Sequence, residues 1–269
     1  MTITEPAWCT TTPKRHAAGA DSSASGGLKS VGTALDVLEC FAIDSELGVS
    51  DIARRLGVAK STAHRLLTTL ASRGFVEQDQ SSGLYRLGIH IYELGHLALS
   101  RNSLRHTALP ILRQVAQATG LTVNLGIPDG PDIVFIERLE SADSMRFLGH
   151  AGRRLPVHVT SSGKVIAAFN IEAEEARRRA GFPPRVSRTV RTAQDWDRVL
   201  ENIRKVGYAV STNESFDGAS SVAVPVIVRK VAIASVSVFG PSELVLPKVD
   251  KLVPVVTAAA RRIGLAYSS

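Results

Sequence analysis

Apolar positions recur along this chain with two different periods. Val31, Ala34, Leu35, Leu38 and Phe41 lie three, four and seven residues apart, the spacing of one helix face. Leu47-Gly48 interrupts the run. Ser50 then stands as an N-cap before a second short helix whose apolar positions are Ile52, Ala53 and Leu56. Gly57 suits the left-handed residue that stops such a helix. A third helix is predicted from about Lys60 to Ser72, with Gly74 after it. Ala63, Leu66, Leu67 and Leu70 make one of its faces, and Ser61, His64, Arg65 and Thr68 repeat the same spacing on another. The first face is core material; the second consists wholly of hydrogen-bonding side chains. Residues 75–77 and 84–87 read as two short strands around a polar loop that contains Gly83.

Two helices joined by a short glycine turn, followed by a hairpin, predict a winged helix-turn-helix. In that arrangement the second helix of the pair enters the DNA major groove, with its N-terminal side chains at base edges. Arg65 can offer a fork of donors to guanine O6 and N7, while Ser61, His64 and Thr68 can reach phosphates or bases. Ser50, Lys60 and Thr62 complete the candidate contacts, and Arg86 in the second hairpin strand is placed for a backbone or minor-groove contact. A solvated polar face on a generic small module is the alternative at this point.

Further along, residues 90–101 continue as a helix with Ile91, Leu94, Ala98 and Leu99 near heptad spacing. Its apolar side suits packing within the chain or against a second copy. Another helix is predicted over Ser103–Thr119, with Leu104, Ile111, Leu112 and Val115 on one side and Gly120 as its stop. The period then changes to two. Residues 121–127 alternate strictly, which predicts a strand with one buried face. After the turn at 128–131, strands are expected over 133–139, 145–148, 208–210, 221–228 and 231–239. Helices are expected from about Ser162 to Phe169, Gln194 to Val206 and Val249 to Leu265. Residues 177–191 read as a basic loop. The fold class is therefore α+β. A winged helix-turn-helix (28–88) and a linker helix (89–102) lead into a second α+β domain (103–269) with an antiparallel sheet. Residues 1–27 are rich in Ser, Thr, Ala and Gly, lack the apolar core of a signal peptide, and are expected to be a disordered tail.

Composition narrows the chemistry. The 269 residues are 44% hydrophobic, enough for a sizeable core. Cys9 and Cys40 are the only cysteines and form no CxxC, and the scattered histidines have no ligand spacing, so neither a metal nor a cofactor is expected. The most apolar stretch, 222–239, is broken by Arg229-Lys230, so no membrane span is expected and the cytoplasm is the expected location. The net charge of +7 is unevenly spread. Residues 1–100 hold 9 Lys/Arg against 10 Asp/Glu, yet residues 52–76 hold five basic side chains and no acid. Such a local cluster points to an anionic partner more sharply than bulk charge does.

The second domain offers little for catalysis. Ser161-Ser162-Gly163-Lys164 matches SxxK without its companion motifs, and no GxSxG, HExxH or phosphate loop occurs. A small hydrolase acting through Ser161 and Lys164 remains the alternative to a non-enzyme. The same residues also open an apolar helix, whose free N–H groups and positive dipole end suit a carboxylate.

Residues 56–67 (LGVAKSTAHRLL) resemble the helix-turn-helix of IclR-type transcriptional regulators, as do Gly74-Phe75-Val76 and Tyr85-Arg86-Leu87-Gly88. Residues 155–164 resemble that family's P-x-H-x-T-[AS]-x-G-K segment. Gly207-Tyr208-Ala209, Glu214, Gly218, Ala223 and Pro225 are similar to a second block, and Gly240-Pro241 to a third. The resemblance implies a GAF/profilin-like effector-binding and oligomerisation domain. It also implies a homodimer or dimer of dimers on a palindromic double-stranded operator, and a small organic effector, often a carboxylate from a catabolic pathway. By position, it implies effector contacts at Ser161, Ser162, Gly163, Ser211, Ser221, Ser237 and Phe239. Met145 and Phe147 would share one face of the third expected strand as apolar walls. Where the family often carries an acid this chain has Ser211, and where it often carries a small polar residue this chain has Phe239. Both changes favour an aromatic or alicyclic acid over a very small polar one.

Overall fold

The computed structural model describes residues 28–42, 44–142 and 154–268. The chain divides into two compact units, the first ending at Ala98 and the second beginning at Leu99.

In the first unit, α1 (Lys29–Cys40), α2 (Val49–Leu56) and α3 (Lys60–Ser72) are followed by the hairpin β1 (Val76–Gln78) and β2 (Tyr85–Leu87), then α4 (Ile89–Ser100). Its core is Val37, Cys40, Phe41, Leu47, Ile52, Ala53, Ala63, Leu67, Val76 and Tyr85. The α1 stripe departs from expectation. Val31 and Leu35 are exposed, and Val37 and Cys40 are buried instead, because only the C-terminal half of α1 joins the shared core. Ser50 is not the cap of α2. The helix starts two residues earlier with Gly48 in the cap position, after Leu47 is drawn into a backbone bridge with Tyr85 of the wing. Gly57 ends α2 at φ 64°, as the left-handed stop requires. None of the residues of α4 is buried, and its last two, Leu99 and Ser100, fall in the second unit.

The second unit opens with α5 (Ser103–Thr119), capped by the Asn102 side chain, which accepts from the Arg105 N–H. A six-stranded, wholly antiparallel sheet follows, in the order β5-β4-β3-β8-β7-β6. Its strands are β3 (Thr122–Asp129), β4 (Asp132–Leu139), β5 (Arg154–Pro156), β6 (Ala209–Thr212), β7 (Ala219–Val228) and β8 (Val231–Pro241). The helices are α6 (Ser161–Phe169), α7 (Ile171–Ala180), α8 (Ala193–Val206), the short α9 (Ser242–Val245) and the C-terminal α10 (Val249–Ser268). One sheet face carries Val123, Leu125, Val222, Val224, Val236 and Val238 against α5 and α10. Arg105 of α5 also pairs with Glu137 of β4 at 2.7 Å. The opposite face is covered by α6, which α8 backs through Trp196, Leu200 and Ile203.

That second layer explains why β3 is buried on both sides rather than on one. Thr122, Asn124 and Gly126 face inward under cover as fully as Val123 and Leu125. Residues 177–180, expected in a basic loop, are the last turn of α7. Asn170 caps this helix, with Glu172 and Glu174 in its first turn and Arg177, Arg178 and Arg179 in its last. That charge order complements the helix dipole. The dense charge hid the apolar period. The strand expected over 145–148 lies outside the described residues, whereas β5 was not anticipated. The Arg229-Lys230 turn is as short as expected, and both residues adopt positive φ, 48° and 70°, the geometry of a tight two-residue hairpin.

Candidate nucleic-acid interface and ligand site

Helix α3 occupies the span the periodicity gives it. Ala63 and Leu67 are fully buried and Leu66 and Leu70 pack behind them, while Lys60, Ser61, Thr62, His64, Arg65 and Thr68 are exposed. Ala59 takes the N-cap position without a side-chain cap, and its carbonyl accepts from the N–H groups of Thr62 and Ala63 at 3.0 Å. The start of α3 therefore presents the amides of Lys60 and Ser61 and a positive dipole end, a setting that suits a phosphate. Thr68 donates its hydroxyl back to the His64 carbonyl at 2.9 Å.

The basic window sorts into two groups. Arg54 is paired with Asp51 at 2.7 Å and Arg55 with Asp44. Lys60, Arg65 and Arg73 have no ion pair among the described residues. In the wing, the Arg86 Nε donates to Glu77 at 2.5 Å across the Glu77–Arg86 register, so this arginine is pre-positioned and half-neutralised. Ser50 is exposed in the first turn of α2. The wing loop is fixed by Asp79, whose carboxylate accepts from the amides and hydroxyls of Ser81 and Ser82 and is held well below the usual carboxylate range by those bonds.

The second site is built under α6. Thr160 caps this helix by accepting the Gly163 N–H at 2.9 Å, and its carbonyl takes the Lys164 N–H at 3.0 Å. Among the described residues this leaves the amides of Ser161 and Ser162 unpaired, although both residues are 1% exposed. The Ser161 hydroxyl shares a hydrogen bond with that of Ser221 at 2.7 Å. The Ser162 hydroxyl is buried without a partner among the described residues, as is that of Ser235. A Cβ at Gly163 would stand 2.3 Å from the Val157 carbonyl oxygen, so the glycine is needed where the 3-10 turn Val157–Val159 crosses α6.

The sheet register gathers the remaining residues. Ser211 of β6 lies opposite Ser221 of β7, which lies opposite Phe239 of β8, which lies opposite Thr122 of β3. One step along, Ser237 lies opposite both Ala223 and Asn124. The Asn124 amide donates to the Ser237 hydroxyl at 3.5 Å, and its carbonyl oxygen accepts from the Arg138 Nε at 3.3 Å. Ser161, Ser162, Ser211, Ser237 and Phe239 are therefore buried between α6 and the sheet face that α6 covers, with Ser221 half-buried beside them. Met145 and Phe147 lie outside the described residues.

Four contributors escaped the sequence reading: Asn124, Arg138, Ser235 and the ion pair of Lys164 with Glu214. The alternation of residues 121–127 carried the signal for Asn124, which sits between Val123 and Leu125 on the opposite face. The pair lies deep, with Lys164 3% exposed. Burial pulls the Lys164 ammonium below its ordinary pKa while Glu214 opposes the shift. A serine–lysine hydrolase needs the lysine to serve the serine. Here Lys164 is committed to Glu214 and Ser161 to Ser221. His158 is fully buried, bonded through Nε2 to the Pro183 carbonyl at 3.0 Å, and burial pushes its pKa down to about 4. It is neutral and donates this bond.

Two clefts open elsewhere on this unit. One of about 400 Å³ lies at the C-terminal end of α6, between Phe169, Ile171, Arg204 and Val231, away from the serine cluster. The other, of about 310 Å³, lies beside β6 and α8 with Lys164 and Glu214 in its lining.

The chain matches the family model for the IclR helix-turn-helix domain over residues 30–80 and that for the C-terminal domain of bacterial IclR transcriptional regulators over residues 96–265. It is 37% identical over 205 residues to the HTH-type transcriptional regulator XynR of Escherichia coli, covering 74% of this chain and 80% of that protein. An IclR transcriptional regulator from Alicyclobacillus acidocaldarius is similar in structure, with a TM-score of 0.78 and 29% identity over 90% of this chain and all of that one. So is an IclR homologue from Microbacterium hydrocarbonoxydans complexed with 4-hydroxybenzoate, with a TM-score of 0.75 and 29% identity over 88% and 98% of the two chains. Among the described residues no helix is long and apolar enough to cross a membrane. The exposed polar face of α3, the buried serines beneath α6 and these likenesses converge: the chain belongs to the IclR family of bacterial transcriptional regulators, which bind DNA and respond to a ligand.

Proposed function

We propose that this regulator controls catabolic genes in the cytoplasm by binding a palindromic operator as a homodimer or dimer of dimers, and that an aromatic carboxylate is its effector. The observation that carries the ligand assignment is the first turn of α6. Two buried amides and the buried Ser162 hydroxyl lack partners among the described residues, beside Ser161–Ser221 and the ring of Phe239. Buried polar groups in native folds are almost always paired, so an unpaired set at a helix N-terminus suits a carboxylate. Phe239 next to that anion-suited turn supports a ring-bearing acid. The complex of the Microbacterium homologue with 4-hydroxybenzoate is consistent with that chemistry.

Operator binding rests on α3, with Arg65 reading a base and Lys60 and the first-turn amides holding a phosphate. Self-association is supported by α4, where Ile89 and Tyr92 are 68% and 67% exposed and Leu94, Leu97 and Leu99 are exposed beside them. Ligand then changes the relative stability of geometries that fit or miss two half-sites, which requires unequal affinity for the two states.

The test is a gel shift on the DNA upstream of the protein's own gene, in graded salt, with 4-hydroxybenzoate, benzoate, cyclohexanecarboxylate and pyruvate. A specific shift altered by the ring acids and not by pyruvate is the expected result. A specific shift that answers only to pyruvate overturns the ligand class, and no specific shift in any salt overturns this operator.

A further inference from the structure

Residues 213–218, between β6 and β7, are tied down from every side. The Glu214 carboxylate holds Lys164 of α6, and its carbonyl accepts the Thr189 hydroxyl at 3.1 Å. The Ser215 hydroxyl donates to the carbonyl of Val159, one residue before the cap of α6, and its own carbonyl accepts the Arg185 Nε at 2.9 Å. The Asn213 side chain accepts the Gly218 N–H at 2.8 Å and closes the loop on itself.

What this bracing presents is Phe216. Its ring meets Phe239 edge to face, with centroids 6.2 Å apart and planes at 79°. It packs at once on the cluster of Phe135, Val159 and Ile166 and on that of Ala219 and Phe239. The Arg185 guanidinium lies 4.8 Å from the ring centroid. Phe239 is in register with Ser221, and Ser221 is bonded to Ser161 in the first turn of α6. Phe216 is therefore linked to the first turn of α6 through Phe239 and Ser221.

We infer that Phe216 is a specificity-determining residue of the effector site: its ring, stacked under Arg185 and set against Phe239, forms the wall that selects a single aromatic ring. This rests on the reading of that site as one for an aryl carboxylate. A braced ring offers an edge or face to a flat ligand at little entropic cost, and edge-to-face pairs add to the apolar area they bury. A wall fixed at both ends also limits depth, so monocyclic acids fit and fused bicyclic acids clash.

Isothermal titration of the full chain with benzoate, 4-hydroxybenzoate, 2-naphthoate and pyruvate tests this in wild type, Phe216→Ala and Phe216→Leu, with circular dichroism to confirm folding. Wild type is expected to prefer the monocyclic acids. Phe216→Ala is expected to lose about tenfold on benzoate and to gain on 2-naphthoate, and Phe216→Leu to lose about threefold on benzoate. If wild type binds the monocyclic acids and both variants keep its benzoate-to-naphthoate ratio, the inference falls and the ligand class stands. If Phe216→Ala does not fold, an unchanged ratio in Phe216→Leu overturns it alone. If wild type binds no aryl acid, the ligand class falls and takes the inference with it.

Discussion

The two units put their polar chemistry on opposite sides of their cores. In the first, apolar side chains close inward around Ile52 and Leu67, and Ser61, His64 and Arg65 stand in solvent. In the second, Ser161, Ser162, Ser237 and Asn124 are enclosed between a helix and a sheet, and Lys164 is buried against Glu214 of the β6–β7 loop. The contrast follows from what each surface must meet. A DNA reader exchanges hydration with a polyanion as large as itself, so its donors stay outside. A small-molecule site must surround its ligand, so its polar groups are buried and must be paired by the protein or by the ligand. Truncating an exposed donor should cost binding and spare stability. Truncating a buried polar group should cost stability first.

The largest effect is expected at Lys164. Lys164→Met leaves Glu214 without its partner in a nearly buried setting, which typically destabilises by about 3–5 kcal/mol. Urea denaturation should show it as a lower midpoint at unchanged slope. A loss under 1 kcal/mol would mean that the enclosed pair is dispensable, and the contrast would weaken.

Second comes His158. Its neutral form is favoured by folding, with a pKa near 4 against 6.5 in the unfolded chain, so the unfolded chain takes up the proton first as pH falls. Stability from this group is complete above about pH 6.5 and is lost progressively down to about pH 4, by roughly 2–3 kcal/mol. Thermal melts across that range should show the loss, and His158→Gln should flatten it. An equal slope in the variant would assign the acid sensitivity to other groups.

For Arg65→Ala the contrast predicts the reverse pattern. Operator affinity should fall by ~1–3 kcal/mol, while thermal stability should hold within ~0.5 kcal/mol because the side chain is exposed. A melting shift with unchanged affinity would place the reading surface on another element.

Smallest is Gly57→Ala, at about 1 kcal/mol from the left-handed backbone alone, since nothing lies within 4 Å of the added methyl. A larger loss, measured by chemical denaturation, would show that the turn before α3 is under tertiary strain as well.

The same contrast decides what was legible in the sequence. An exposed functional face on a helix is written with the helix's own period, so Ser61, His64, Arg65 and Thr68 could be picked out by spacing and α3 bounded to the residue. The buried site draws on β3, α6, β6, β7 and β8, which are distant in sequence and meet only through the sheet order. Ser211, Ser221 and Ser237 were found through resemblance rather than periodicity. Asn124 and Arg138 look like ordinary polar residues until the register sets them opposite each other. Helix α1 differs for a related reason: spacing put Val31 and Leu35 on its apolar face, and this unit leaves both exposed.

The bridge between Leu47 and Tyr85 has a consequence for design. It fastens the wing to the segment before α2, and every side chain of that unit's buried cluster falls between residues 37 and 85. Sequence reading is thereby packaged as an interchangeable cartridge. A chimera carrying residues 28–87 of this chain on the remainder of a relative should inherit this chain's operator and the relative's inducer.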